Sequence, residues 1–271
     1  MAICNDMSGQ VALVTGATGQ LGRGIVRRLA EAGADVVVHY LDVGAEANYY
    51  KGDKTVNREM AKRLCAEVGG FGGRSMAVAG DVTDRETVFK MRDTIRETLG
   101  DPSIIVTAAM LQIRSTLMNA TSETFSAQFA TSVLQHLHIV QAFVPAMKQR
   151  RYGRIIGINS VACLAANEEH SPYSTAKMAM EGVFRQMARE FAEFGITANQ
   201  VAPSWMYTDV ERDRPLEPPP GRDDYLKRQP MKRCGTEVDI ANAVAFLASK
   251  EAAYINGVLL PVNGGREFVG I

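Results

Sequence analysis

Tyr173 and Lys177 stand four residues apart in the run YSTAK, at the start of an expected helix, and this spacing places both side chains on one face as neighbours. An ammonium beside a phenol favours the phenolate and lowers a tyrosine pKa that starts near ~10, so the pair can exchange a proton with an alcohol or carbonyl oxygen. The same spacing also arises when a half-buried tyrosine is flanked by a lysine whose stem merely packs along it. Ser160 favours the chemical reading. It lies thirteen residues before Tyr173, just past an expected strand, and the carboxyl ends of strands are where open α/β sheets hold their ligands.

A second group of residues suits a dinucleotide. The run TGATGQLG, Thr15 to Gly22, follows an expected strand and opens an expected helix, so its backbone N–H groups can face a pyrophosphate. Gly16 permits the tight turn, Gly19 the approach of the backbone to phosphate and Gly22 close helix–strand packing, with Thr18, Gln20 and Leu21 between them. The bare alternative is a glycine-rich turn without a ligand. Asp81 in AGDV either bonds an adenine amino group, with Val82 against the ring, or caps the next segment.

The elements that must carry these residues alternate. Short apolar runs at Val11 to Thr15, Asp35 to Tyr40, Arg74 to Ala79, Ser103 to Thr107, Gly153 to Asn159, Thr197 to Val201 and Val258 to Val262 read as strands. Helical periodicity covers Leu21 to Ala32, Thr55 to Val68, Arg85 to Leu99, Glu123 to Gln149, Tyr173 to Phe194 and Val238 to Ser249, with Thr83, Ser122 and Ser171 as caps. Strands alternating with helices predict an α/β fold: a doubly wound, seven-stranded parallel Rossmann sheet with helices on both faces. Residues 1–271 are expected to form one domain, with the proline-rich excursion at 204–236 covering the site. The irregular segment Leu41 to Lys54 has no evident role.

Composition narrows the partners. Thirty basic residues balance thirty acidic ones, so there is no broad attraction to nucleic acid or to a membrane surface, and a small-molecule alcohol or carbonyl is the expected partner. The four cysteines form no CxxC pair, which points away from a metal knuckle or a disulfide framework and toward a reducing cytoplasm. No signal-peptide pattern or membrane-spanning apolar run is read. His136 and His138, two apart on a helix, face different ways, and no metal site is expected.

TGATGQLG, GDV, INSVA, YSTAK and the terminal INGVLLPVNGG together resemble the short-chain dehydrogenase/reductase family, in family order over nearly the whole chain. The resemblance implies a nicotinamide-dependent oxidoreductase that interconverts a secondary alcohol and a ketone by hydride transfer. In it Tyr173 is the acid/base, Lys177 holds the nicotinamide ribose and tunes the tyrosine, and Ser160 orients the substrate oxygen. It also implies that Ser132 stands where many relatives use a proton-relay asparagine, that Ala108, Ala109, Pro203 and Thr208 border the cofactor, and that the molecule is a homotetramer. Substrate contacts are expected from Ser160, Cys163, His170, Tyr173, Trp205, Met206 and Tyr207, with Glu168 and Glu169 either reading a polar substrate or simply solvated.

The chain departs from the family at several points. Gln20 replaces a glycine, with Gly19 beside it in the manner of the family's extended branch. TAAM (Thr107, Ala108, Ala109, Met110) replaces NNAG and lacks its supporting amide, and Ser204 follows Pro203 in place of glycine. Tyr40 occupies the position of the carboxylate that reads the ribose of NAD, Asp42 follows, and neither position 19 nor position 41 supplies a cation for the 2′-phosphate of NADP; the balance leans to NAD over NADP. These departures leave open a lyase or isomerase without net redox, or a noncatalytic dinucleotide sensor.

Overall fold

The computed structural model describes residues 5–42, 54–206 and 222–267. Seven strands form one parallel sheet in the order β3-β2-β1-β4-β5-β6-β7. They are β1 (Val11–Thr15), β2 (Asp35–Tyr40), β3 (Ser75–Ala79), β4 (Ile104–Thr107), β5 (Gly153–Ile158), β6 (Ile196–Pro203) and β7 (Leu259–Val262). β1 and β2 run as the sequence predicts, and the others differ from the prediction by one or two residues at an end, β6 being the longest.

Each central strand is apolar along its length because both of its faces are covered. In β1, Ala12 and Val14 join the core cluster shared with Ile25, Leu29 and Val244, while Val11 and Leu13 point through to the opposite cluster around Ile95, Phe143 and Phe184. Three helices supply the first layer: α1 (Gln20–Glu31), α2 (Lys54–Gly70) and α8 (Glu237–Ala248). The second comes from α3 (Arg85–Thr98), α5 (Gln135–Arg150) and α6 (Ser171–Phe191). The sheet changes direction of growth between β1 and β4, where Ala12–Thr15 pairs with Ile104–Thr107, and this opens a crevice at their carboxyl ends.

The residues that precede the helices differ by one position from the expected caps. Asp84, not Thr83, caps α3, accepting from Thr87 N at 2.8 Å. Thr121, not Ser122, caps α4 (Ser122–Phe129) through a reciprocal box with Thr124. His170 precedes α6 without a side-chain cap, and Ser171 is the first helical residue. The long helix expected over Glu123–Gln149 is α4 and α5 joined by one π turn, Ala130–Leu134, that carries Thr131 and Ser132. Of the 204–236 excursion, residues 204–206 and 222–236 are described and include the short helix α7 (Arg222–Arg228), while Tyr207 and Thr208 lie outside the described residues. Among the described residues no helix is long and apolar enough to cross a membrane.

Candidate functional site

The glycine turn is built so tightly that side chains are excluded. Gly16 has φ 63, and a Cβ there would lie 2.6 Å from Ala109 Cα; a Cβ on Gly22 would lie 2.3 Å from the Gly16 carbonyl. Gly22 thus packs α1 onto its own turn. His39 in β2 holds this turn from below. Gly16 N–H donates to His39 Nδ1 at 3.0 Å, which places the ring proton on Nε2, and Nε2 in turn donates to Gly80 O at 3.0 Å. Burial drives the His39 pKa down to about 4, so the neutral tautomer joins the ends of β1, β2 and β3.

Over this turn lies a cavity of about 310 Å³. Gly16, Thr18, Gly19, Asp81, Val82, Ala108 and Ala109, all of which the sequence assigns to a cofactor, line it. Gln20, Leu21, Gly22, Tyr40, Tyr173, Lys177 and Pro203 are not among its lining residues. Tyr40 instead packs into the core beneath, and Pro203 ends β6 paired with Val262. Asp81 uses one carboxylate oxygen as a local cap, accepting from Thr83 N at 2.8 Å and Thr83 Oγ1 at 2.7 Å. His39, Asn57 and Thr131 also line the cavity and were not legible from motifs. Asn57 accepts from Thr18 Oγ1 at 3.2 Å and donates to Leu41 O at 3.3 Å, tying α2 to the glycine turn. Beside it Arg58 pairs with Asp42, near the Tyr40 hydroxyl. A glycine cradle that no Cβ tolerates, N–H groups at the start of α1 and a polar-rimmed cavity fit a dinucleotide.

The loop after β4 lacks the family's asparagine, yet it is held by amides. Gln135 Nε2 donates to Ala109 O at 3.0 Å, and Ala109 N donates to Thr15 Oγ1 at 3.3 Å. Two turns of helix earlier, the fully buried Gln128 donates to Leu111 O at 2.7 Å and accepts from Ile113 N at 2.9 Å. The missing support is thus supplied from α4 and α5. Two glutamines seven residues apart in an apolar stretch were the signal available in the sequence.

At the end of β5 Ser160, Tyr173 and Lys177, the residues expected to do acid–base chemistry, come together. Ser160 has extended backbone, its Oγ accepts from Ala162 N at 3.1 Å, and the Tyr173 phenol lies near its hydroxyl. Lys177 Nζ lies 5.7 Å from the centre of the Tyr173 ring and donates to Ile158 O at 2.8 Å. Asn159, also buried, fixes the spacing: it accepts from Ser160 N at 2.8 Å and donates to Lys177 O at 3.2 Å and to Gln200 Oε1 at 3.0 Å. Asn159 and Gln200 are positioning groups that motif reading missed.

The electrostatics differ from the expectation that Lys177 lowers the tyrosine. Burial raises the Tyr173 pKa, and the hydrogen bond from Ser160 offsets only part of it. Burial also lowers Lys177 to about 8, which still leaves an ammonium at neutral pH. The phenol is therefore held as an acid.

The remaining expected residues scatter. Ser132 is buried in the π turn, and its Oγ accepts from Gln128 Nε2 at 3.0 Å, which links it through Gln128 to the loop after β4. Cys163 packs against Ala202 and Leu259, with burial raising its thiol to about 11. His170 stands edge-on to Tyr173, ring centres 6.2 Å apart. Ser115 N donates to the adjoining Glu169 O at 2.8 Å, so the loop after β4 meets the segment before α6. Trp205 turns to Tyr225 and lines a second cavity, of about 390 Å³, that shares no lining residue with the first; Met206 packs beside the core and bridges to Gly235. His136 is buried against Thr107 Oγ1 at 2.9 Å, whereas His138 reaches Val82 O at 3.3 Å.

Residues 16–267 match a family model described as Enoyl-(Acyl carrier protein) reductase. The chain is 35% identical to the 3-oxoacyl-(acyl-carrier-protein) reductase FabG of Haemophilus influenzae, with 96% of this chain and 98% of that protein covered. It is 34% identical to the FabG of Escherichia coli over 97% of this chain and all 100% of that protein. Among solved structures, a gluconate 5-dehydrogenase from Burkholderia cenocepacia in complex with NADP and tartrate superposes with TM-score 0.83 at 28% identity, covering 97% of this chain and 96% of that one.

Proposed function

Because the chain belongs to the short-chain dehydrogenase/reductase family, and is a nicotinamide-dependent oxidoreductase of a hydroxyl or ketone group, we propose that it works as a carbonyl reductase with NADPH and with Tyr173 as proton donor. The observation that carries this direction is the buried phenol near Ser160 and Lys177; burial raises its pKa and keeps it protonated, the form that gives a proton to a carbonyl oxygen.

Reduced nicotinamide, when bound, supplies the hydride. Ser160 donates a hydrogen bond to the carbonyl oxygen and steadies its developing charge. Tyr173 passes its proton to that oxygen. Lys177, an ammonium below about pH 8, offsets the negative charge left on the phenol and meets the ribose side of the cofactor. Ser132 serves reprotonation through its place in the π turn. The backbone from Thr18 to Gly22 faces the pyrophosphate, Asp81 and Val82 hold the adenine, and Ala108, Ala109, Pro203 and Thr208 border the nicotinamide half. The relatives named as 3-oxoacyl reductases make a 3-oxoacyl thioester the first substrate to test.

We further read residues 1–271 as one domain, with 204–236 covering the substrate, and the assembly as a homotetramer. Leu134 at the end of the π turn, Leu137 on α5 and Met178 on α6 are exposed apolar residues suited to a helix-to-helix contact. Cys65 and Cys163 are free thiols, in keeping with a cytoplasmic enzyme.

The test is to titrate the protein with NADPH and NADH and then follow nicotinamide absorbance with 3-oxoacyl thioesters, sugar acids and simple ketones. Turnover with NADPH supports the proposal; nucleotide binding without turnover on any carbonyl contradicts it.

A further inference from the structure

We propose that Arg58, from α2, is the residue that selects NADP by binding the phosphate on its adenosine ribose. This rests on the reading of the 310 Å³ cavity as the dinucleotide site. Positions 19 and 41 are Gly19 and Leu41, so the glycine turn and the residue after β2 bring no cation to the ribose end. The fold brings one from farther along the chain. Asn57 lines the cavity and is tied to both Thr18 and Leu41, which fixes the first turns of α2 at the rim, and Arg58 is the next residue.

The guanidinium is held in place. It pairs with Asp42 and lies near the hydroxyl of the buried Tyr40, while its side chain remains 56% exposed. A guanidinium carries five donors in a planar fork, so one edge can stay on Asp42 while another takes a phosphate. Holding it beforehand reduces the ordering cost of binding. The pair also answers the lean toward NAD that Asp42 suggests. A carboxylate already engaged by Arg58 is a weaker acceptor for the ribose hydroxyls, and the residue at the usual acidic position, Tyr40, carries no carboxylate.

The experiment measures binding, not turnover, with two fragments: 2′,5′-ADP, which carries the extra phosphate, and 5′-ADP, which does not. Calorimetric titration of the wild type, Arg58→Gln and Asp42→Asn is paired with thermal melts, since both side chains sit at the surface and the variants are expected to fold. The wild type should favour 2′,5′-ADP. Arg58→Gln should weaken that fragment by about 10- to 100-fold, the range for losing a charge-assisted pair, and leave 5′-ADP within about twofold. Asp42→Asn should tighten 2′,5′-ADP. Unchanged 2′,5′-ADP affinity in Arg58→Gln, or a wild type that prefers 5′-ADP, overturns the assignment while leaving the cavity a nucleotide site. Failure of both fragments to bind overturns the cavity reading itself, and this assignment with it.

Discussion

The end of β5 and the loop after β4 belong to neighbouring strands, yet they reach their order by different routes. At β5 the groups come from one stretch of chain: Asn159 and Ser160 leave the strand, Tyr173 and Lys177 follow on α6, and Asn159 bonds into both segments. The loop after β4 has only alanines and a methionine where an amide is expected. Its carbonyls at Ala109 and Leu111 are satisfied by Gln135 and Gln128, far along the chain. A bonding requirement belongs to the fold, and the residue that meets it need not sit in the motif.

Lys177→Met breaks the β5 side most strongly. Loss of the ammonium should cut turnover by about 10²-fold or more. The stability effect has the opposite sign. Because the folded-state pKa falls from 10.5 to about 8, the cost of the buried charge is fully present below pH 8 and fades as pH rises to 10.5. The unfolding free energy of the wild type relative to the variant should therefore climb by about 3 kcal/mol across that window, read by urea unfolding at several pH values. A flat difference means that Lys177 is not buried as a cation.

His39 extends the comparison to the nucleotide side. Its pKa is lowered from 6.5 to about 4, so stability is complete above 6.5 and is lost as pH falls toward 4, by about 3 kcal/mol from this group. His136, lowered from 6.5 to about 3 by burial and then by the charge of Lys177, adds a loss of its own from pH 6.5 down to 3. In His39→Gln the slope between pH 6.5 and 4 should shrink by that amount. The variant should also weaken nucleotide binding, because Gly16 and Gly80 lose their common partner.

Smaller effects separate the two regions. Gln135→Leu leaves the Ala109 carbonyl unpaired and should cost about 1–3 kcal/mol of stability. Its kinetic effect should fall on KM for the cofactor. Asn159→Leu, which disturbs the spacing of Ser160 and Lys177, should fall on kcat. Equal shifts of both parameters in both variants would erase the distinction between the regions.

Much of the fold was legible because a doubly covered parallel strand has no polar face: Val11–Thr15 and Asp35–Tyr40 stand out as unbroken or nearly unbroken apolar runs. The Ser160, Tyr173 and Lys177 group was legible because helical spacing and one strand end suffice to place it. Gln128, Gln135, His39, Asn57 and Arg58 were not, since each acts on backbone or side chains that only tertiary packing brings near. The π turn at Ala130–Leu134 was hidden for a related reason: the periodicity on either side is helical, and the extra residue is absorbed without a glycine or proline. Trp205 was misplaced because following β6 in sequence does not decide which way a side chain turns.

The most direct test of the central claim is Tyr173→Phe, assayed for hydride transfer from NADPH to a carbonyl substrate and, separately, for NADPH binding. The account predicts that turnover falls by about 10²- to 10⁴-fold while the dissociation constant of the cofactor changes by less than about threefold. Turnover that survives in the phenylalanine variant would contradict it.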